Sequence, residues 1–278
     1  MGFRGSSSND AREYKLEGHR VEELFALAIG GSTLGLPPQG KTDCIDSQSV
    51  SYSVKKTAKK WQIFLYGLDR LVSDEGFKSL AARGLPLSDL LSAFPKDYSS
   101  YLKDKESIKS FLQTIKSDSG TRVGLVREEF KGGNAYLDSK VSLAIVTSKI
   151  SESLQSYALK KDFLSKSIFN DEEVKRLAIQ DGASFRVFDS RQVIATLASQ
   201  TDVVTSGVGG QKTDLSIAGQ KVIFRAATNI VELEVRNDSV RHYRQLRFNM
   251  NSRAFLNLLL EHLPVLETQR GVEFHCPV

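Results

Sequence analysis

The sequence predicts a mixed α/β fold, and three observations carry that prediction. An amphipathic helical stripe lies near the start, a hairpin pattern spans residues 43–55, and strand-like segments cluster after residue 205. The resulting order of helix, hairpin, helices, strand, helix and strands suits neither an all-helical nor an all-strand domain.

Residues 1–11 are small and polar without periodicity and read as disordered. Val21, Leu24, Phe25, Ala28 and Ile29 then recur at helical spacing in a helix from about Ala11 to Ile29, which Gly30-Gly31 ends. Gly35, Pro37 and Pro38 mark a loop. Cys44-Ile45 and the alternating run Val50–Val54 form two antiparallel strands around the turn Ser47-Gln48-Ser49. Lys59 to Val72 carries two patterns: Trp61, Ile63 and Leu65 alternate like a strand, while Phe64, Leu68 and Leu71 share a helical face, and a helix after a short turn is the favoured reading. Residues 73–120 read as helices broken at Gly84-Leu85-Pro86 and at Phe94-Pro95.

Val123–Val126 and Val141–Val146 read as strands separated by a Gly132-Gly133-Asn134 turn. Asn170 is expected to cap a helix whose first turn holds Asp171, Glu172 and Glu173. Phe185–Phe188 is a strand, after which Asp189 or Ser190 caps a helix through Leu197. Strands are expected at Leu215–Ile217, Val222–Phe224, Ile230–Val235 and Arg244–Phe248. Ser252 caps a last helix, Phe255–Leu263.

Composition narrows the function classes. The apolar and charged fractions, 40% and 26%, are those of an ordinary globular chain, and no apolar run is long enough to span a bilayer. The N-terminus lacks the apolar core of a secretory leader. Only two cysteines, Cys44 and Cys276, are present, which suits a reducing compartment and argues against a disulfide framework or a thiolate zinc site. His19, His242, His262 and His275 are too scattered for a zinc-hydrolase motif. The net charge of +5 is concentrated. Lys55, Lys56, Lys59 and Lys60 form one basic burst, and Arg236, Arg241, Arg244, Arg247 and Arg253 another, the electrostatic footprint of a polyanion partner.

The chemistry concentrates at the hairpin. Asp43 precedes its first strand and Lys55 lies twelve residues on in the second, so antiparallel pairing brings both to one end. Asp43 is placed to bind a hard cation, and Lys55 to orient a nucleophilic water and offset charge on a phosphate. Ser53 shares Lys55's strand face, and Glu22 lies at the edge of the buried stripe of the first helix. A second candidate echoes the first: Lys212-Thr213-Asp214 precedes a strand, and Glu232, Glu234 and Arg236 follow on a later one. Arg241, Arg244, Gln245 and Arg247 offer side chains able to read base edges in a major groove.

Gly18-x-x-x-Glu22 on a helix, then Gly40-Lys41-Thr42-Asp43, then a strand ending at Lys55, resembles the PD-(D/E)XK nuclease superfamily, and within it the type II restriction endonucleases, over residues 15–60. The resemblance implies a central mixed β-sheet flanked by helices, a restriction-endonuclease-like core, with an added strand-rich C-terminal region. It implies Mg²⁺-dependent cleavage of double-stranded DNA by a cytoplasmic homodimer of a prokaryotic cell. Asp43 would be a metal ligand, Lys55 the lysine that positions the water and Glu22 a supporting acid. The chain departs from the pattern in having Thr42 in place of proline and Ser53 in place of the acid two residues before the lysine. Some enzymes that read CCGG-containing sites also carry Ser-x-Lys and draw the missing carboxylate from a later helix, the part that falls here to Asp69. Lys56, Lys59 and Lys60 would contact DNA beside Arg241, Arg244, Gln245 and Arg247. The whole chain, residues 1–278, would be one nuclease domain, with the catalytic core starting in 12–72 and recognition in 205–263. A structure-specific repair nuclease and a non-catalytic nucleic-acid-binding protein are the alternatives.

Overall fold

Two β-sheets organise the chain in the computed structural model, which describes residues 8–36, 40–57, 60–115, 119–208, 215 and 217–277. Each sheet belongs to its own compact unit. Residues 1–59, 164–199 and 252–278 form the first unit, and residues 60–163 and 200–251 the second.

The first unit opens with helix α1 (Ser8–Ile29). Val21, Phe25 and Ala26 fall on one side of it and are buried. The helix stops where Gly30 turns to φ 69°. There the Gly30 N–H bonds Leu27 O at 3.3 Å and the Gly31 N–H bonds Ala26 O at 2.8 Å, the paired closure of a glycine-terminated helix. β1 (Cys44–Ile45) and β2 (Ser51–Lys56) follow as an antiparallel pair. β2 then runs parallel to β4 (Arg176–Asp181), which pairs antiparallel with β5 (Ser184–Asp189). β11 (Val272–Phe274) lies parallel to β5, and β10 (Glu267–Gln269) closes the edge, giving a mixed sheet β1-β2-β4-β5-β11-β10. α1 shares a core with Tyr52, Val54, Ala178, Phe185, Val187, Val272 and Phe274, and β2 is held between β1 and β4. Helices α9 (Ser190–Gln200) and α10 (Ser252–His262) also belong here. The Asp189 carboxylate caps α9 by accepting the N–H groups of Arg191 and Gln192.

The second unit holds a fully antiparallel sheet, β3-β9-β8-β7-β6, made of β3 (Trp61–Tyr66), β6 (Asp202–Thr205), β7 (Val222–Arg225), β8 (Asn229–Arg236) and β9 (Gln245–Met250). Its helices are α2 (Leu68–Ser73), α3 (Glu75–Ala82), α4 (Ser88–Ser92), α5 (Tyr98–Thr114), α6 (Ser119–Glu129) and α7 (Ala135–Ser153). Phe64 and Phe163 pack on Phe248 with ring centroids 5.3 Å away in each case. The N-terminal half of α8 (Tyr157–Phe169) also falls in this unit.

The α/β class with a mixed sheet and helices stands, but several expected elements do not. Residues from Ser8 onward are helical, where residues 1–11 read as disordered. Trp61–Tyr66 is a strand, not the start of a helix, because β9 supplies its hydrogen bonds from far along the chain. Val123–Val126 and Val141–Val146 lie inside α6 and α7, with Leu143, Thr147 and Ile150 of the latter and Leu154 at its C-cap buried. Asn170 does not open a helix. It follows α8, and Asn170 and Asp171 take left-handed backbone angles of φ 50° and 62°, which the short polar Asn and Asp side chains tolerate best after glycine. Leu215 and Ile217 lie outside any strand. α8, β4, β6, β10 and β11 were not foreseen.

Candidate active site

Antiparallel pairing of β1 with β2 places Asp43, just before β1, against the middle of β2. Its N–H donates to Tyr52 O at 2.7 Å. Alternation along β2 separates two faces. Tyr52 and Val54 go into the core beneath α1, while Ser53 and Lys55 share the other face. Asp43 Oδ2 collects the result. It accepts from Lys55 Nζ at 2.9 Å, Ser53 Oγ at 3.0 Å and the Val54 N–H at 2.7 Å. Lys55 Nζ also donates to Val54 O at 3.0 Å. The Asp43 and Lys55 side chains keep 20% and 33% of their surface, so solvent reaches both.

The segment leading into Asp43 is held by a residue that sequence reasoning assigned elsewhere. Glu173, expected in the first turn of a helix, instead accepts the backbone N–H groups of Lys41 and Thr42 on Oε1. Its other carboxylate oxygen takes Asn170 Nδ2 at 2.6 Å, and its carbonyl takes Ser51 Oγ at 2.6 Å. One acid thus ties the Gly-Lys-Thr-Asp segment to β2. It sits more than a hundred residues from both, and no local pattern marks it.

Glu22 sits on α1 with its Oε2 3.0 Å from His19 Nδ1. Glu22, Glu23 and His19 line a cleft of about 260 Å³ together with Thr33, Thr42 and Asp43. The cleft therefore joins the helix acid to the hairpin acid. The buried thiol of Cys44 lies next to it. Desolvation and then the charges of Asp43, Asp46 and Glu22 push its pKa up to about 12. For a hard cation the cleft presents the carboxylates of Glu22 and Asp43. Mg²⁺ commonly takes one or two protein carboxylates and completes its shell with water and phosphate oxygens, so the pair fits it. Among the described residues no group of three or more His, Cys, Asp and Glu side chains is arranged to hold a metal.

The remaining predicted site residues lie elsewhere. Asp69 is exposed in the first turn of α2, in the second unit. Lys56 pairs with Glu17 on α1 at 2.6 Å. Lys60 reaches Glu232 at 3.3 Å, and Lys59 lies outside the described residues. In the second unit Arg241 is exposed, Arg244 Nε donates to Leu91 O at 3.1 Å, and Gln245 Oε1 lies 2.9 Å from His242 Nδ1. Arg247 is paired with Glu234. The Lys212-Thr213-Asp214 echo lies outside the described residues. Its companion acids are engaged with cations. Lys221 lies 3.1 Å from Glu232 and 3.0 Å from Glu234, and Arg236 pairs with Asp238 at 2.6 Å. Burial raises the Glu234 pKa, but Lys221 and Arg247 outweigh it and leave the carboxyl below its usual range. Those acids are paired with cations inside the second unit, whereas Glu22, beside His19, and Asp43, beside Lys55, both line the first-unit cleft. No helix among the described residues is long and apolar enough to cross a membrane. No family model, curated protein or solved structure matches the chain.

Proposed function

We propose that the chain is a Mg²⁺-dependent endonuclease of the type II restriction class, cutting double-stranded DNA at a short site as a homodimer. The observation that carries this is the convergence on Asp43: Lys55 Nζ at 2.9 Å from its Oδ2, with Glu22 lining the same cleft. A bound Mg²⁺ would polarise the scissile phosphate and lower the pKa of a coordinated water. Everything else falls to the protein. Glu22 and Asp43 would hold the cation. The Ser53 hydroxyl and the Val54 N–H hold Oδ2 of the Asp43 carboxylate, which lines the cleft. Lys55 would steer the attacking water and offset negative charge gathering on the phosphate. The net charge of +5 favours a polyanionic substrate.

One observation favours a second reading. Three donors on a single carboxylate oxygen also suit a structural aspartate that locks β1 to β2. In that case the chain binds nucleic acid without cutting it. Incubating duplex DNA with Mg²⁺ and wild type, Asp43→Ala or Lys55→Ala separates the two. The nuclease reading expects cleavage by wild type and loss in both variants, with DNA binding retained. Full activity in either variant removes the site assignment. Discrete fragments indicate site-specific cutting, and smears or branch-dependent cuts indicate a structure-specific enzyme.

A further inference from the structure

α1 carries a second pattern, on the side facing away from its own core. Leu16 is 61% exposed and Leu27 is 76% exposed, a large apolar surface for two leucines of one helix. Arg20 and Glu23 are exposed between them. At 3.6 residues per turn, positions 16, 20, 23 and 27 fall within about 60° of one another, on the side opposite buried Phe25. They form a single stripe of leucine, arginine, glutamate and leucine.

The stripe is palindromic in chemistry. Its two leucines are centred between Val21 and Glu22, and so are its arginine and glutamate. A two-fold axis through that point, perpendicular to the helix, sets Leu16 against Leu27 of another copy and Arg20 against Glu23. Every apolar group then meets an apolar group and every charge meets its opposite, the requirement of an isologous interface. A parallel pairing would set arginine against arginine and glutamate against glutamate. The spacing of four, three and four residues is that of alternating core positions in a helix pair, where antiparallel partners pack unlike positions together.

We infer that the outer face of α1 docks a second copy of this chain in an antiparallel helix pair. The inference rests on the homodimer of the proposed function and names its surface, while the self-association it predicts is read separately from any cleavage by the neighbouring cleft. From Leu16 to Leu27 the contact is about 18 Å long at 1.5 Å per residue, short of a standard protein interface, so self-association is weak.

Sedimentation of the full chain from about 1 µM to about 500 µM tests this, bracketing a Kd of roughly 10–100 µM. The expected result is a monomer–dimer equilibrium. Leu16→Lys with Leu27→Lys should leave a monomer across the range. Arg20→Glu alone and Glu23→Arg alone each place like charges at two symmetric contacts and should weaken the dimer about tenfold. Both changes together exchange the charges and should restore it to within about threefold of wild type. Circular dichroism confirms that each variant remains folded. A wild type that stays monomeric, a dimer indifferent to the leucine changes, or a double charge exchange that stays as weak as the single ones would each overturn the inference.

Discussion

Lys55 Nζ meets Asp43 Oδ2 at 2.9 Å across a separation of twelve residues, and Ser53 Oγ reaches the same oxygen at 3.0 Å. Ser53 is only 4% exposed, so its hydroxyl is committed to this contact and not to water. Ser53→Ala leaves Lys55 and the Val54 N–H in place and removes one of three bonds. It should cost about 0.5–1.5 kcal/mol, read as a lower urea midpoint at unchanged slope. Ser53→Thr keeps the hydroxyl but adds a methyl at a buried position, and should recover only part of that loss.

Glu173 governs the approach to Asp43, because its carboxylate holds the Lys41 and Thr42 N–H groups. Glu173→Ala should destabilise the protein by about 1–3 kcal/mol and speed amide exchange at Lys41 and Thr42. Glu173→Gln retains an acceptor and should fall between. Unchanged exchange at both amides in Glu173→Ala would show that the segment is held by other contacts.

Two glycines of α1 and its exit should respond in opposite directions to alanine. A Cβ at Gly31 would lie 2.6 Å from Ile45 O, so Gly31→Ala forces helix exit and β1 apart and should cost about 1–3 kcal/mol. At Gly18, inside the helix, a Cβ meets nothing within 4 Å. Gly18→Ala should stabilise by about 0.5–1 kcal/mol through helix propensity. Thermal midpoints of the two variants give both signs.

His275 supplies a pH dependence. Its ring is 3% exposed, stacks on Phe188 at 4.4 Å and holds Nδ1 2.7 Å from Leu263 O. Burial lowers its pKa below the ordinary imidazole value, against smaller opposing effects from the Leu263 carbonyl and the Glu273 charge. The unfolded chain therefore binds a proton near pH 6.5 that the native chain refuses. Stability is fullest above about pH 6.5 and falls as pH drops below it. Melting should be lower at about pH 5.5 than at about pH 7.5. His275→Gln should flatten that difference. An equal drop in the variant would assign the slope to other groups.

Much of the first unit was legible locally. The α1 stripe, the hairpin from Cys44 to Lys56 and the Asp189 cap each depend on residues close in sequence, and each formed, except that Leu24 of the expected stripe is 45% exposed. The same proximity made the Asp43–Lys55 pair legible, since a tight hairpin fixes which residues face each other. What failed depends on distant partners or on a longer period. Trp61–Tyr66 alternates like a strand, but the competing helical face is set aside only by its pairing with distant β9. In α7 the valines and isoleucines look strand-like over six residues, and only the longer spacing of Leu143, Thr147, Ile150 and Leu154 exposes the helix. Glu173 was misassigned because acids after asparagine commonly begin a helix, and its partners lie in another part of the chain. The arginines grouped for base reading are divided between an exposed Arg241 and ones bonded within the second unit, a distinction made by packing and not by order.

The most direct measurement is digestion of a mapped plasmid by the purified chain with Mg²⁺, beside Asp43→Asn and an EDTA control. Asn keeps the shape of the carboxylate but removes its charge. The expected outcome is discrete fragments from wild type, none with EDTA, and a loss of at least about a hundredfold in Asp43→Asn while DNA binding persists. Intact plasmid under every condition, or equal cutting by Asp43→Asn, would contradict a nuclease centred on Asp43 and Lys55.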